Sequence, residues 1–397
     1  MDDLPRTIKD AITITRKLDI QYLWVDAICI IQGTSEEAIK DWQTHSTMMA
    51  EIYGNAFLTI AAAAASDVHQ GIFNERYIPK LFRMPYGPND TYEYMTSGQN
   101  VKDDKLLAEP LARRSWAFQE RLLSRRLVAY GTSQLFWQCR ERQCIENGLE
   151  HKVSVQVRNL FDEGVFRDKT RFSDMWHEIV SDYSSTDATY ESDKLPALSG
   201  LAKTVQVGCR DEYIVGLWKR TIATDLCWQA IPNTIRKPLR YRAPSWSWAS
   251  LDGSVLWMDR EVSDLLTLVD YSITLGGPDP FGQITSGWIL VRAPLKIFHC
   301  TVNRQYSSTS FCLSLCEDGP STVIVTLDIP YPPTPEQEKN CWQHGENIKI
   351  HCLRVGYGMA IALTPAESHE GAFRRIGLIL LRIGWLDGYH EETVKIV

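Results

Sequence analysis

The stretch "YLWVDAICIIQ", residues 22–32, places an acid, a thiol and an amide in an otherwise apolar run. A carboxylate inside a buried strand costs free energy unless something pairs with it or uses it. Read as a regular strand, the segment puts Asp26 and Gln32 on one face and Cys29 on the other. Ligands of open α/β sheets bind beyond the carboxyl ends of the strands, so Asp26 and Gln32 approach such a crevice. Asp26 then has two readings. It is a ligand-binding or catalytic carboxylate, or it is a half-buried acceptor of hydrogen bonds from backbone or arginine. Cys29 would need a base or a helix N-terminus beside it to act as a nucleophile. The sequence supplies neither, and Cys29 reads as a buried thiol.

Further along, "KDWQTHSTMMAEIYGNA" carries Asp41 and Glu51 on one helix, about 80° apart around its axis at 100° per residue. Only one of them can face a crevice, and the plain alternative is a pair of solvated acids. His45 lies on the apolar side of the same helix and reads as a core-edge histidine. In "RRSWAFQERLLSRRL" the basic residues Arg113, Arg114, Arg121, Arg125 and Arg126 suit phosphate contacts, including the pyrophosphate of a dinucleotide. The alternative is a helix in which they pair with Glu120 and its neighbours. No Walker-type loop, G-x-G-x-x-G, H-E-x-x-H or G-x-S-x-G occurs, so kinases, Rossmann enzymes, zinc proteases and α/β-hydrolases lose their usual support.

The elements that must hold these residues follow from periodicity. Residues 4–18 form an apolar stripe at helical spacing, with Pro5 in the first turn. The strand at 22–32, a helix at about 41–54 and a strand at 56–64 continue an α-β-α-β order, which predicts a mainly parallel sheet. Residues 66–104 read as loops and short pieces. Residues 113–127 are helical at least in part, and 126–140 form a hairpin around Gly131-Thr132-Ser133. Helices are expected at 170–183, at 193–206 with an early interruption at Pro196, and at 215–228. From about 241, short alternating segments between turn residues predict a β-rich module. "DIPYPPTPEQEK", 328–339, reads as a loop or hairpin tip. In "PSWSWAS", Trp246 and Trp248 are either a binding platform or, more in keeping with tryptophan chemistry, anchors of that module.

The chain has 397 residues, which exceeds one ordinary core. Its net charge of −7 disfavours a free-standing nucleic-acid binder. The longest apolar run, around 56–65, is too short to span a bilayer. No apolar leader opens the chain. The ten cysteines are scattered without C-x-x-C spacing, as expected for reduced, mostly buried thiols in the cytoplasm.

Several of these pieces together resemble the fungal heterokaryon-incompatibility (HET) domain. They are Leu4-Pro5-x-Thr7-Ile8-x-Asp10-Ala11, Leu23-Trp24-Val25-Asp26-x-x-Cys29-Ile30-x-Gln32, Met49-x-x-Ile52-Tyr53-x-x-Ala56 and Thr59-Ile60-Ala61-Ala62. "RRSWAFQERLLSRRLVAYG" resembles a later element of that domain. The pieces "DKLPALSGLA", "YIVGLWKRTIATDLCW" and "APSWSWASLDG" resemble the region that often trails it. The strand that usually precedes the Leu-Pro element is not seen here. The resemblance implies an incomplete doubly wound, TIR/flavodoxin-like α/β domain at 1–125. A hairpin and helical connection at 126–240 and a β-rich module at 241–397 follow it. It implies non-self recognition and cell-death signalling, with self-association or other incompatibility proteins as partners. The remote likeness of HET to TIR domains implies an alternative, cleavage of the nicotinamide–ribose bond of NAD. Glu51, Asp26 and Asp41 are then the catalytic candidates, and Gln32, Arg114 and Arg121 the contacts to the dinucleotide. A third expectation is an inactive, truncated paralogue.

Overall fold

The computed structural model describes residues 3–75, 81–85, 92–96, 106–146, 150–151, 160–231, 234–258, 265–303, 311–315, 322–328, 347–356, 358–367, 369–381 and 388–397. The chain divides into two compact units. One comprises residues 1–161 with 187–189, the other 162–186 with 190–397. Among the described residues no helix is long and apolar enough to cross a membrane.

In the first unit, α1 (Arg6–Lys17) follows Pro5, whose fixed φ suits a helix start, and it buries Ile8 and Ile14. Thr7 and Asp10 fasten it to the turn ahead of residue 73. The Gly71 N–H donates to Thr7 Oγ1 at 3.1 Å, and the Ile72 N–H to Asp10 Oδ2 at 2.8 Å. The strand expected at 22–32 is not there. Residues 20–25 are irregular, and Asp26–Cys29 forms a one-turn helix, α2. Cys29 and Ile30 donate to the carbonyls of Val25 and Asp26. A carboxylate is favoured in the first turn of a helix, and a short apolar run carries no period that separates strand from helix.

Helix α3 (Glu36–Asn55) starts at Ser35, whose hydroxyl accepts from the Ala38 N–H at 3.2 Å. Ser35→Ala should therefore cost about 1 kcal/mol, read as a shift in the urea midpoint of this unit. β1 (Thr59–Ala61) follows, then the paired strands β2 (Leu81–Pro85) and β3 (Tyr92–Thr96). Two 3₁₀ turns, Leu106–Ala108 and Pro110–Arg113, lead into α4 (Ser115–Leu123). The chain then forms β4 (Arg126–Tyr130), β5 (Leu135–Cys139), β6 (Gln143–Ile145) and β7 (Glu150–His151). The expected hairpin is β4–β5. Its turn is closed by Gly131 and Gln134 and held by Glu109, which accepts from the Thr132 N–H at 2.7 Å and from its hydroxyl at 2.8 Å. The sheet order is β1-β4-β5-β6-β7, and only the β1–β4 pair is parallel. The mainly parallel sheet expected from the element order, and with it the doubly wound arrangement implied by the resemblance, is corrected accordingly for the described strands. The segment at 26 never becomes a strand, and successive strands after α4 are joined by turns too short for a parallel crossover.

The second unit opens with α5 (Glu163–Arg167) and α6 (Lys169–Ser184). Asp168 caps α6 through the N–H groups of Thr170 and Arg171. Phe172, Met175, Trp176, Ile179, Val180 and Tyr183 recur at helical spacing and are fully buried. Pro196 begins α7 (Pro196–Cys209) rather than interrupting a helix. The helix expected at 215–228 is instead a tight hairpin, β8 (Tyr213–Ile214) and β9 (Leu217–Trp218), then a 3₁₀ turn and the short α8 (Ile222–Asp225). Val215 and Gly216 both hold positive φ, as a two-residue hairpin turn requires. The Gly216 carbonyl accepts from the indoles of Trp176 (2.8 Å) and Trp248 (3.0 Å). β10 (Gln229–Ala230) pairs β11 (Val255–Leu256). Trp246 and Trp248 are wholly buried, which makes them anchors and excludes a binding platform.

The β-rich module expected in the C-terminal region is a small closed barrel. β12 (Thr267–Leu275) pairs the first half of β13, a twenty-residue strand (Ile284–Asn303). The second half of β13 begins a ring with β14 (Phe311–Leu315), β15 (Thr322–Leu327), β16 (Asn347–Gly356), β17 (Met359–Pro365) and β18 (Ala372–Leu380). The ring runs β13-β14-β15-β18-β17-β16 and returns to β13. β19 (His390–Ile396) pairs the first half of β13 and touches β18. Side chains such as Phe298, Ile350, Cys352 and Ile379 fill a buried cluster between these strands, as in small barrels generally.

Candidate functional site

The first unit contains a cleft of about 600 Å³, part of it open to solvent. Its walls are mostly apolar. Ile60 and Ala61 come from β1, Leu106 and Leu111 from the two 3₁₀ turns, Phe118 from α4 and Leu127 from β4. The polar groups on the wall are Tyr53 of α3, Thr59, and Glu120 and Arg121 of α4. Thr59 is engaged elsewhere, its hydroxyl 2.6 Å from that of Ser124. Arg121 Nη1 donates to Gln138 at 3.5 Å.

Glu120 is the chemically poised group. Burial raises its carboxyl from the ordinary 4.5 to about 7, and the Asp26 carboxylate adds to the rise. A hydrogen bond from the Tyr53 hydroxyl and the Arg114 guanidinium work in the opposite direction. Tyr53 is pushed well above its usual value, first by burial and then by the charges of Glu120 and Asp26. Trp24 packs edge-on to the Tyr53 ring at 5.9 Å. Three segments thus converge on one carboxyl: the irregular run into α2, the end of α3, and α4. A carboxyl titrating near neutrality at the wall of an apolar cleft can bind a cation, hold or release a proton, or stabilise developing positive charge.

The residues singled out in the sequence fall in different places. Asp26 and Arg114 bear on Glu120, and Arg121 lines the cleft. Gln32 does not reach it. Its amide donates to the carbonyls of Ile30 (2.8 Å) and Asp26 (3.3 Å) and closes α2. Asp41 accepts from the Ile31 N–H at 2.8 Å and lies 3.4 Å from the His45 ring, so it ties α2 to α3. Glu51 is exposed and two residues from Tyr53, about 200° around α3 from it, and it is not part of the cleft lining. Cys29 is exposed rather than buried, because α2 leaves its Cys29 end at the surface. Cys139, Cys144 and Cys209 are half-buried, and Cys227, Cys300 and Cys352 buried, all of them free thiols. Among the described residues no three His, Cys, Asp or Glu gather to hold a metal.

Glu120 and Tyr53 were not candidates in the sequence. Glu120 stands among arginines and reads as their partner, while Tyr53 continues an apolar stripe. The available signal was an acid placed between Phe118 and Leu122 in the sequence of α4.

A second polar cluster lies in the other unit and does no comparable work. His177 Nε2 is 2.9 Å from Asp225 and 3.3 Å from the Ser173 hydroxyl. A Ser-His-Asp relay needs the two partners on different ring nitrogens, and here one nitrogen serves both. Asp225 is also committed to the Trp218 N–H and the Thr221 hydroxyl. This is a buried tie between α6 and α8.

Residues 1–120 match the family model Heterokaryon incompatibility protein (HET), so the N-terminal part of the chain is a HET segment. No curated protein and no solved structure matches.

Proposed function

We propose that the chain acts in heterokaryon incompatibility: recognition of non-self after hyphal fusion and the cell-death reaction that follows. The HET unit is the effector, working in the cytoplasm through self-association or other incompatibility proteins. The observation behind this reading is a coincidence of position. Asp26, Tyr53, Arg114 and Glu120 all lie within the 1–120 match, so the family segment carries the Glu120 carboxyl and the groups that bear on it. Induced expression of the full chain in a fungal host tests it. Vital-dye uptake should rise with the wild type and not with a Glu120→Ala chain of equal soluble yield. Uptake by neither chain, with both well expressed, sinks the effector role.

A second reading is favoured by Glu120 itself. In a TIR-like NAD glycohydrolase a carboxylate stabilises the oxocarbenium-like ribose as nicotinamide leaves with the bonding electron pair and water adds to the sugar carbon. The single parallel β1–β4 pair is as far as the described sheet supports a TIR/flavodoxin-like fold, so this reading stands on the cleft. Nicotinamide release from NAD should then vanish in Glu120→Gln and fall in Asp26→Asn. Release that disappears in Glu51→Gln and survives in Glu120→Gln would move catalysis out of the cleft.

A further inference from the structure

Arginines gather at one end of the first unit's sheet. The β4–β5 register pairs Arg126 with Cys139, so Arg125 and Arg140 stand opposite each other one step beyond it. The Cys139 N–H donates to the Arg142 carbonyl at 2.9 Å, which folds Arg142 back to the same end. All four arginines are exposed. Arg126 lies 5.3 Å from the centre of the Phe57 ring and donates to the Phe57 carbonyl at 3.2 Å, while Phe57 itself is 66% exposed. Arg140 lies 3.8 Å from the centre of the Phe161 ring. A guanidinium stacked on a ring still has its N–H edge to give to a carboxylate. Glu141, in the β5–β6 turn, is the acid among the described side chains at this end. Asp162, next to Phe161 in the chain, is engaged with Gly164 and Arg171. Arg121, bonded to Gln138 of β5, only adds to the positive charge. Four exposed guanidiniums against the Glu141 carboxylate leave an excess of three positive charges. Like charges directly opposite each other work against the pairing of their strands. Arg140 is accordingly held below its ordinary value, first by burial and then by the charge of Arg125.

The second unit carries the opposite imbalance. The outer side of α6 presents Asp174, Glu178 and Asp182, at i, i+4 and i+8. That spacing keeps them on one face, about 6 Å apart along the axis. Like charges so placed destabilise a helix. The Glu178 carboxyl is raised first by burial and then by the charges of Asp182 and Asp174. Arg171, one turn before Asp174, is shared with Asp162 at 3.6 Å. Lys169 lies about 140° around the helix from Asp174. We propose that the chain associates with a second copy of itself by setting the Asp174–Glu178–Asp182 stripe of one copy against Arg125, Arg126 and Arg140 of another. The two surfaces are complements, three carboxylates against an excess of three positive charges, and the arginine fork accepts carboxylates at its paired N–H groups. The chain carries a net charge of −7, so a copy that approaches the arginines is steered to them as an acidic molecule. This rests on the self-association proposed above and names the surfaces that make it.

Sedimentation velocity of the full chain over a wide range of concentration tests the contact. In dilute salt the average mass should rise with concentration. In about 1 M sodium chloride, where the screening length is about 3 Å, it should fall back to that of a single chain. Arg125→Glu/Arg140→Glu turns the first surface negative, and Asp174→Lys/Glu178→Lys turns the second positive. Each variant alone should associate at least about tenfold more weakly than the wild type. Mixed in equal amounts they should associate again, because each supplies the complement of the other's altered surface. The salt comparison needs no variant and decides the matter even if one of them fails to fold. A wild-type chain that stays single in dilute salt would overturn the contact and the self-association together. Association that survives 1 M salt, a variant that associates as the wild type does, or a mixture of folded variants that does not recover would each overturn the contact and leave self-association to another surface. Dye uptake in the fungal host is read independently, so the effector role stands or falls separately.

Discussion

Arg375→Met is expected to destabilise the C-terminal unit by about 3–5 kcal/mol, the range for breaking a buried ion pair from one side. Arg375 and Asp328 are both buried. Arg375 Nε donates to Asp328 Oδ2 at 2.7 Å. Its two terminal nitrogens donate to the carbonyls of Leu226 and Trp228. The guanidinium also lies 3.6 Å from the centre of the Trp228 ring. One side chain on β18 therefore satisfies a carboxylate, two carbonyls and an aromatic face, and joins the barrel to the segment after α8. Methionine preserves much of the stem's volume, so the loss comes from stranded polar groups rather than from a cavity. Burial already raises the Asp328 carboxyl, and Arg375 works against that rise. Without the arginine the folded-state value climbs further. A carboxyl raised in the folded state gives stability that is present at low pH and lost as pH rises through that value. The defect should therefore deepen toward alkaline pH. Urea unfolding followed by tryptophan fluorescence reads it, since Trp228 sits at the site. The double variant Arg375→Met/Asp328→Leu should recover most of the loss by removing the stranded charge. A single variant within about 1 kcal/mol of wild type would mean that water reaches the pair.

What the sequence disclosed and what it hid divide along a physical line. Helices α1, α3 and α6 and the β4–β5 hairpin depend on patterns within a dozen residues, and each was legible from its own segment. Helix α2 was not, because four residues inside an apolar run show no period; Asp26 in a first helical turn was the available clue. The misjudged 215–228 segment carried its own warning in Gly216, whose positive φ ends any helix there. Sheet pairing is a different problem. β1 pairs with β4, in the register Thr59 with Leu127, and nothing local to either strand states that. The barrel was visible as alternating strands, but the closing contact between β13 and β16 is a long-range property of register. The site shows both limits. Asp26, Arg114 and Arg121 were chosen by residue type. Glu120 became the central carboxyl only once three segments were seen to meet on it.

Glu120→Gln should stabilise the N-terminal unit above pH 7, by about 2–3 kcal/mol after a discount for the partial exposure of the residue. The folded-state carboxyl titrates at about 7 against an ordinary 4.5. A raised value means that folding favours the neutral form. Its contribution is fully present below about 4.5 and is lost as pH climbs through about 7. Glutamine stays neutral at every pH and keeps an oxygen to accept from the Tyr53 hydroxyl. Wild type and variant should therefore match at pH 4.5 and separate toward pH 8, with the variant the more stable. Other carboxylates titrate over the same range, so the informative quantity is the difference between the two urea midpoints and not either curve alone. Parallel curves would show that Glu120 is solvated and would remove the basis for assigning it a role. Divergent curves would show a fold carrying a carboxyl that weakens it at neutral pH, where a single-atom replacement would relieve the cost. Proteins carry such residues where binding or chemistry requires them. A variant that gains stability while losing the death response would identify Glu120 as a functional group held in place against the preference of the fold.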